Sequence, residues 1–285
     1  MLEIFQEAKK GKYAVGAFNT SNLEQLKAII GAAKKLKSPV IVSTSQGESK
    51  FIGKKRIKAL IDVYQQETDL SIILHLDHGK SFEVIQKAIK AGYDSIHFDG
   101  SGLNFEENVE QTKKIVELAK SNGVKNIEGE LGYLRGKSSL LQEKVEIEPE
   151  DLTDPGKALE FVEKTGINML AVAIGNIHGV FKSSQNPNLF LDRLAEINEL
   201  ISDRAGLVLH GGSGTPEQDI KKSLELGVVK VNVNTELRIA YTEALKKVLQ
   251  ESQEIAPYKI MPSVIEAVQK VVEEKIKLFG SDNKV

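Results

Sequence analysis

The chain has 285 residues, 41% of them apolar and 27% charged, with a formal net charge of −2 and no cysteine. A composition of this kind buries a full core, and a near-neutral chain without long basic or acidic blocks excludes nucleic acid and an anionic membrane surface as partners. The lack of cysteine excludes disulfides and thiolate metal sites and leaves His, Asp and Glu as the metal-ligating residue types.

The chain opens with Met1-Leu2-Glu3-Ile4-Phe5-Gln6-Glu7, a helix-like start without the apolar centre of a signal peptide. No later apolar run approaches the roughly 20 residues of a membrane helix, so a cytoplasmic location is expected. Eight short apolar runs then follow, at 14–19, 39–45, 71–78, 95–100, 126–131, 169–175, 207–211 and 228–234. Their near-continuous apolar character, as in Val40-Ile41-Val42 or Leu170-Ala171-Val172-Ala173-Ile174, is that of strands buried on both faces. Between them lie helical patterns at 23–36, 53–66, 82–91, 106–121, 155–165 and 216–226. Ser21 or Asn22, Ser81, and Thr215 followed by Pro216 offer start signals, and Gly92, Gly123, Gly166 and Gly227 offer stops. This alternation without a composition break predicts an α/β fold, one (β/α)₈ TIM barrel over residues 1–285 with an additional C-terminal helix at 262–279. An open doubly wound sheet would need a phosphate fingerprint in the first strand–helix turn, which Gly16-Ala17-Phe18-Asn19 does not supply.

Five histidines occur, and three of them follow apolar runs and stand beside glycine: His78 before Gly79, His178 before Gly179 and His210 before Gly211. Imidazole is the commonest zinc ligand, and three protein ligands with an open position describe a catalytic zinc. Asp77, His78, Asp99, Glu130, His178, His210, Asn232 and Asn234 all fall at C-terminal ends of predicted strands, where barrel active sites are built. His75 and His97 lie mid-strand and read as hydrogen-bonded core residues. Asp77 adjoins His78, so strict alternation would place them on opposite faces unless at least one lies beyond the last regular pair. A carboxylate beside a metal ligand suits general acid/base work, with orientation of the histidine as the plainer role.

Two stretches read as a phosphate site. Gly211-Gly212-Ser213-Gly214-Thr215-Pro216 and Asn232-Val233-Asn234-Thr235 each lead from a late strand into a helix start, where free N–H groups favour an anion. Asn19 and Ser45, at the ends of the first two strands, complete the candidate substrate-binding set.

Together these stretches resemble the class II, metal-dependent fructose-bisphosphate aldolases and their tagatose-bisphosphate relatives. The likeness spans nearly the whole chain. Its most specific pieces are His75-Leu76-Asp77-His78-Gly79, the stretch from Ala171 to Gly179, and Leu207-Val208-Leu209-His210-Gly211-Gly212-Ser213-Gly214. Lys230-Val231-Asn232-Val233-Asn234-Thr235-Glu236 is closer to the fructose branch, as the tagatose branch tends to have Ala in place of Asn234. The resemblance implies reversible cleavage of fructose 1,6-bisphosphate to dihydroxyacetone phosphate and glyceraldehyde 3-phosphate through a zinc-stabilised enolate. It implies Zn²⁺ on His78, His178 and His210, a second or displaced divalent site at Asp99 and Glu130, and Asp77 as the acid/base at the C4 hydroxyl. Gly179, Gly211, Ser213, Asn232, Asn234 and Thr235 then match contacts to dihydroxyacetone phosphate, with a monovalent cation nearby and a homo-oligomer, dimer or tetramer, as the assembly. Gly212 and Val233 stand within the same loops.

The sequence departs from that pattern twice. After Glu130-Leu131-Gly132 the family continues with glycines and an acidic mobile loop that supplies a second acid/base. Here Tyr133-Leu134-Arg135-Gly136-Lys137-Ser138-Ser139 stands instead, so Glu143, Glu146 or Glu148 is the expected substitute. Near the C-terminus the family's arginine for the distal phosphate is replaced by Ala256-Pro257-Tyr258-Lys259, and lysine lacks the bidentate fork. Three other readings stay open: an aldolase for tagatose 1,6-bisphosphate or another phosphorylated ketose, a Schiff-base aldolase using a buried lysine such as Lys230, and a sugar-phosphate-binding barrel without turnover.

Overall fold

All eight apolar runs become parallel staves. The computed structural model describes residues 2–143, 145–182 and 184–285. Among these the strands are β1 (Val15–Asn19), β2 (Val40–Ser45), β3 (Ile72–Gly79), β4 (Ser95–Phe98), β5 (Asn126–Leu131), β6 (Gly136–Leu141), β7 (Met169–Val172), β8 (His178–Phe181), β9 (Gly206–Leu209) and β10 (Val228–Val233). All but β6 and β8 close into one parallel barrel in the order β1-β2-β3-β4-β5-β7-β9-β10, each strand beside the next in sequence. The helices are α1 (Glu3–Gly11), α2 (Leu23–Leu36), α3 (Gln46–Ile52), α4 (Lys54–Glu67), α5 (Phe82–Lys90), α6 (Phe105–Ser121), α7 (Pro155–Thr165), α8 (Leu191–Ile201), α9 (Glu217–Glu225), α10 (Thr235–Glu251) and α11 (Pro257–Phe279). The architecture is the (β/α)₈ barrel expected from the alternation.

Local chemistry sets most boundaries. Asn22 and Ser81 accept hydrogen bonds from Gln25 N–H and Val84 N–H and so start α2 and α5. Thr215 does not cap α9: its hydroxyl donates to Gly211 O at 2.9 Å, and α9 begins without a side-chain cap. The strand expected over 169–175 stops at Val172, because Asn176 takes over the backbone groups a longer strand would pair. Its Oδ1 accepts from Ile174 N–H at 2.8 Å and its Nδ2 donates to Val172 O at 3.2 Å. The C-terminal helix begins at Pro257 rather than Pro262. Pro257 holds the first helical position that proline favours, and Pro262 lies inside the helix. Helix α11 packs on α2 and α10 and closes the outer ring.

The core has two parts. Outward-facing strand residues such as Val42, Leu74, Ile96, Ile127, Leu170 and Leu209 pack under the helices. Inward-facing Val15, Ala17, Ile41, Ile73, Met169, Ala171, Val208 and Val229 fill the lower lumen, which Phe5 and Ala8 of α1 plug from below. Above that plug the lumen turns polar.

A segment expected as a loop is ordered as a strand. Residues 136–141 form β6 and pair in parallel with β8 as a two-stranded sheet over the mouth. Gly136 sits against His178 so closely that an added Cβ would lie 2.2 Å from its carbonyl oxygen. Glycine there lets β6 lie on the mouth.

Candidate active site

The adjacency of Asp77 and His78 is resolved by a bulge. The register of β3 on β4 shifts between Leu76 and Gly79, and His78 adopts left-handed backbone with φ 52°. A bulge re-aims successive side chains, so both residues enter the mouth. The His78 N–H freed from the ladder donates to His97 Nδ1 at 3.1 Å.

Above it, imidazoles and carboxylates interleave. His78 Nδ1 lies 3.1 Å from Asp99 Oδ2 and 3.5 Å from Glu130 Oε2, while its Nε2 lies 3.1 Å from His210 Nδ1. His210 Nε2 in turn lies 2.7 Å from Glu128 Oε1. A carboxylate holds the protonated nitrogen of each ring, which turns the two other nitrogens, both lone-pair donors, toward each other. Facing lone pairs at that separation call for a proton or a metal ion. Burial opposes charge on His78, but Asp77, Asp99 and Glu130 outweigh it and raise its pKa to about 9. Burial and the neighbouring His78 lower His178 to about 4 and hold His210 well below the usual histidine range, so both rings stay neutral.

Ligand atoms within 4.8 Å of one another come from Asp77, His78, His97 and His210 in one group and from His78, Asp99 and Glu130 in another. These groups could hold a metal ion. The donor set fits one, because imidazole nitrogens and carboxylate oxygens converge: buried Glu130 Oε2 lies 3.1 Å from His97 Nε2 and 3.5 Å from His78 Nδ1. His178 joins neither tight group. Its ring stands 5.0 Å from that of His78 and 6.3 Å from that of His210, centroid to centroid, on β8. His97, expected as a plain core residue, is fully buried as expected but also belongs to the ligand cluster.

Asp77 is held by two amides. Asn19 Nδ2 donates to its Oδ2 and Asn232 Nδ2 to its Oδ1, each at 3.0 Å. Burial pushes the carboxyl up, but His78, His210 and Lys230 hold it far below the usual range, so Asp77 is ionised. With both amide nitrogens turned to Asp77, Asn19 Oδ1 and Asn232 Oδ1 are buried without a partner. Both residues line the pocket, along with Asp77, His78, His178 and His210.

Gly179, Gly211, Ser213, Asn234 and Thr235 form the other wall. Gly211 has φ 68°, and a Cβ there would lie 2.1 Å from Ile177 O, so glycine alone allows the loops after β7 and β9 to touch. The buried Asn186 amide bridges them, donating to Gly179 O at 2.8 Å and Ser213 O at 3.0 Å. Thr235 opens α10 without a cap from the Asn234 side chain; Glu236 N–H donates to Ser213 Oγ at 3.3 Å, and the positive end of the helix faces the pocket where an anion would sit. Three expected contacts stand apart from the pocket wall. Gly212 N–H is spent on Asn232 O, Val233 packs in the outer core, and Ser45 caps α3.

Glu128, Ser95, Asn126 and Ser138 were not singled out from sequence. Beneath the rings, Lys230 Nζ donates to Glu128 Oε2 at 2.5 Å and lies 3.1 Å from His75 Nε2, all three fully buried. His75 Nδ1 reaches Ser95 Oγ at 2.8 Å, which also accepts from Asn126. Glu128, on the strand that carries Glu130, was accessible to a period-2 reading of lumen-facing positions. Ser138 was not: it lines the pocket from β6, outside the barrel. Lys230 is committed to Glu128 away from the pocket wall, which leaves a Schiff-base reading without its nucleophile. Glu143, Glu146 and Glu148 are exposed and line no part of the pocket. Lys259, the only cation at the expected distal-phosphate segment, is exposed and pairs with Glu254 at 3.0 Å.

Comparison with known proteins agrees with this geometry. The sequence model of the family described as fructose-bisphosphate aldolase class-II matches residues 1–284. The fructose-bisphosphate aldolase of Thermus caldophilus is 39% identical, over 98% of this chain and 97% of that protein. The sulfofructosephosphate aldolase of Alkalicoccus urumqiensis is 38% identical, over 99% of this chain and 96% of that protein. The crystal structure of the YdjI aldolase from Escherichia coli K12 superposes with a TM-score of 0.82 at 35% identity, covering 98% of this chain and 96% of that one.

Proposed function

Since the chain belongs to the class II fructose-bisphosphate aldolase family and is an aldolase, a carbon–carbon lyase, we propose that it cleaves fructose 1,6-bisphosphate reversibly, with zinc as its metal. The observation that carries this reading is the facing pair of ring nitrogens, His78 Nε2 and His210 Nδ1, 3.1 Å apart beside the ionised Asp77, a position that a proton or a metal ion fills. His78 and His210 would hold the ion, with His178 of β8 as the third ligand and Asp99 and Glu130 as a second position. When bound, the metal supplies Lewis-acid stabilisation of negative charge developing at the ketose carbonyl oxygen.

The remaining chemistry belongs to the side chains. Asp77 takes the proton of the C4 hydroxyl as the C3–C4 bond breaks and the aldehyde leaves. The unpartnered Asn19 Oδ1 and Asn232 Oδ1 accept from substrate hydroxyls. Gly179, Gly211, Ser213, Asn234 and Thr235 cradle the phosphate next to the helix start of α10. Among the described residues Asp77 is the only carboxylate lining the pocket, so the proton it receives is the one it returns to C3 of the three-carbon fragment.

A second reading, an aldolase for tagatose 1,6-bisphosphate or another phosphorylated ketose, is favoured by one observation: the expected distal-phosphate cation, Lys259, is already paired with Glu254. Turnover of a ketose phosphate panel, with metal content measured before and after chelation, separates the readings. Fructose 1,6-bisphosphate is expected to be the best substrate, with activity lost on chelation and restored by zinc. Chelator-resistant turnover would sink the metal assignment, and preference for another ketose would sink the first substrate.

A further inference from the structure

One guanidinium joins the roof of the pocket to its acid/base. Arg238, on α10, donates from Nη1 to Ser138 O at 3.0 Å and from Nη2 to Glu48 Oε1 at 2.7 Å. Glu48, on α3 and 7% exposed, accepts at its other oxygen from Asn19 Nδ2 at 2.9 Å and from Ser45 N–H at 2.8 Å. The same Asn19 nitrogen donates to Asp77 Oδ2 at 3.0 Å. The path from β6 to Asp77 is therefore four hydrogen bonds with no gap.

We propose that Glu48 and Arg238 are positioning residues: together they fix Asn19 against Asp77 for proton transfer and latch β6, with Ser138, over the pocket. The proposal rests on the reading of Asp77 as the acid/base. Two carboxylates on one amide nitrogen leave Asn19 a single orientation, with Nδ2 between them and Oδ1 turned away from both. That is the orientation in which Oδ1 is buried and unpartnered at the pocket wall. The helix start alone does not call for this arrangement. Capping α3 uses only the reciprocal Ser45–Glu48 bonds, which an exposed glutamate supplies equally well. Burying the carboxylate carries a desolvation penalty that its contacts to Asn19 and Arg238 must offset, and both of those lead to pocket residues. Arg238 is also suited to bridging, because its two Nη atoms, held apart on a rigid plane, reach a carboxylate and a carbonyl separately, whereas lysine offers a single nitrogen for both.

The test uses the metal-loaded full chain with Glu48→Ala, Glu48→Gln, Arg238→Ala and Arg238→Lys. Turnover is followed with fructose 1,6-bisphosphate, metal content by mass spectrometry, and hydrogen exchange over residues 136–141 without substrate. Glu48→Ala is expected to lower kcat by about 10–100-fold, the scale of a small misplacement of a reacting group, with KM and metal content near wild type. Glu48→Gln retains an acceptor for Asn19 and Ser45 and is expected to recover most of kcat. Both Arg238 variants are expected to speed exchange over 136–141 by about tenfold, because a latched strand that opens locally exposes its amides. Wild-type kcat in Glu48→Ala, or a Glu48→Gln as impaired as Glu48→Ala, overturns the positioning role. Unchanged exchange in Arg238→Ala overturns the latch. Because exchange needs no substrate, the latch is judged even if wild-type protein turns over no ketose and the aldolase reading of the site fails.

Discussion

The lower and upper halves of the barrel lumen are made by the same strands under the same alternation, yet they hold opposite contents. On β3 the inward sequence is Ile73, His75, Asp77; on β9 and just past its end it is Val208, His210; on β1 it is Val15, Ala17, Asn19. The lower members form a dry layer over α1, and the upper members form a nearly continuous polar network of Lys230, Glu128, His75, His210, His78 and Asp99. The lower half holds its place through packing, which tolerates small errors. In the upper half every buried charge needs its partner, so one lost group there has large consequences. Substitutions in the two halves should therefore differ in kind as well as size.

The largest effect is expected at His210. On the proposed reading His210→Ala removes a metal ligand, so turnover should fall well beyond the about 10–100-fold carried by outer partners of a ligand, with metal content falling in parallel. Full activity in this variant would remove His210 from the metal site. Asp77→Ala should lower turnover by about 10²–10⁴-fold while the metal stays. Loss of metal along with activity would mean instead that Asp77 serves to orient His78.

Lys230→Met tests the network one layer down. It leaves Glu128 buried without its cation, and denaturant unfolding should show a loss of about 3–5 kcal/mol, the scale of breaking a buried pair. Unchanged stability would mean that His75 and His210 suffice to hold Glu128, whose carboxyl burial pushes up and Lys230 and the histidines bring down to about 2. Ile73→Val, in the dry layer, should lower stability by only about 0.5–1.5 kcal/mol and leave kcat unchanged. A clear drop in kcat would show that the two halves are mechanically coupled, and the contrast between them would be lost.

The contrast also explains what the amino-acid sequence revealed. Apolar runs buried on both faces gave the barrel, and polar residues at run ends gave the mouth, because strand ends converge there whatever the intervening helices do. Hidden from that reading were features set by contacts across the fold. The bulge at Leu76–Gly79 depends on how β3 meets β4, and the end of β7 depends on Asn176 capturing backbone groups. Strand β6 was read as a mobile loop because Gly136-Lys137-Ser138-Ser139 has loop composition; its partner β8 lies some forty residues on, and only the fold brings the two together. Glu128 reads as an ordinary strand interruption until alternation is applied to its strand, and Lys230, read as a buried lysine that could form a Schiff base, is instead its partner.

The smallest effect is expected in the segment after β6, and it bears on the chemistry most directly. The family pattern led to the expectation that Glu143, Glu146 or Glu148 supplies a second acid/base on a moving loop. All three are exposed, and β6 just before them is held by its pairing with β8 and by Arg238. Among the described residues Asp77 is then the one carboxylate lining the pocket, and the proposed reading gives it the proton at C4 and at C3 in turn. Exchange of the C3 proton of dihydroxyacetone phosphate, followed by NMR in deuterated buffer, distinguishes the two cases. Each Glu→Ala variant should exchange at the wild-type rate, whereas Asp77→Ala should lose exchange and cleavage together. If one glutamate variant suppresses exchange while cleavage survives, that residue enters the site and β6 must release it. A single-carboxylate pocket would then be wrong. If exchange persists in Asp77→Ala, the C3 proton is carried by a group other than either, and Ser138, the polar side chain that β6 brings to the pocket, becomes the residue to substitute next.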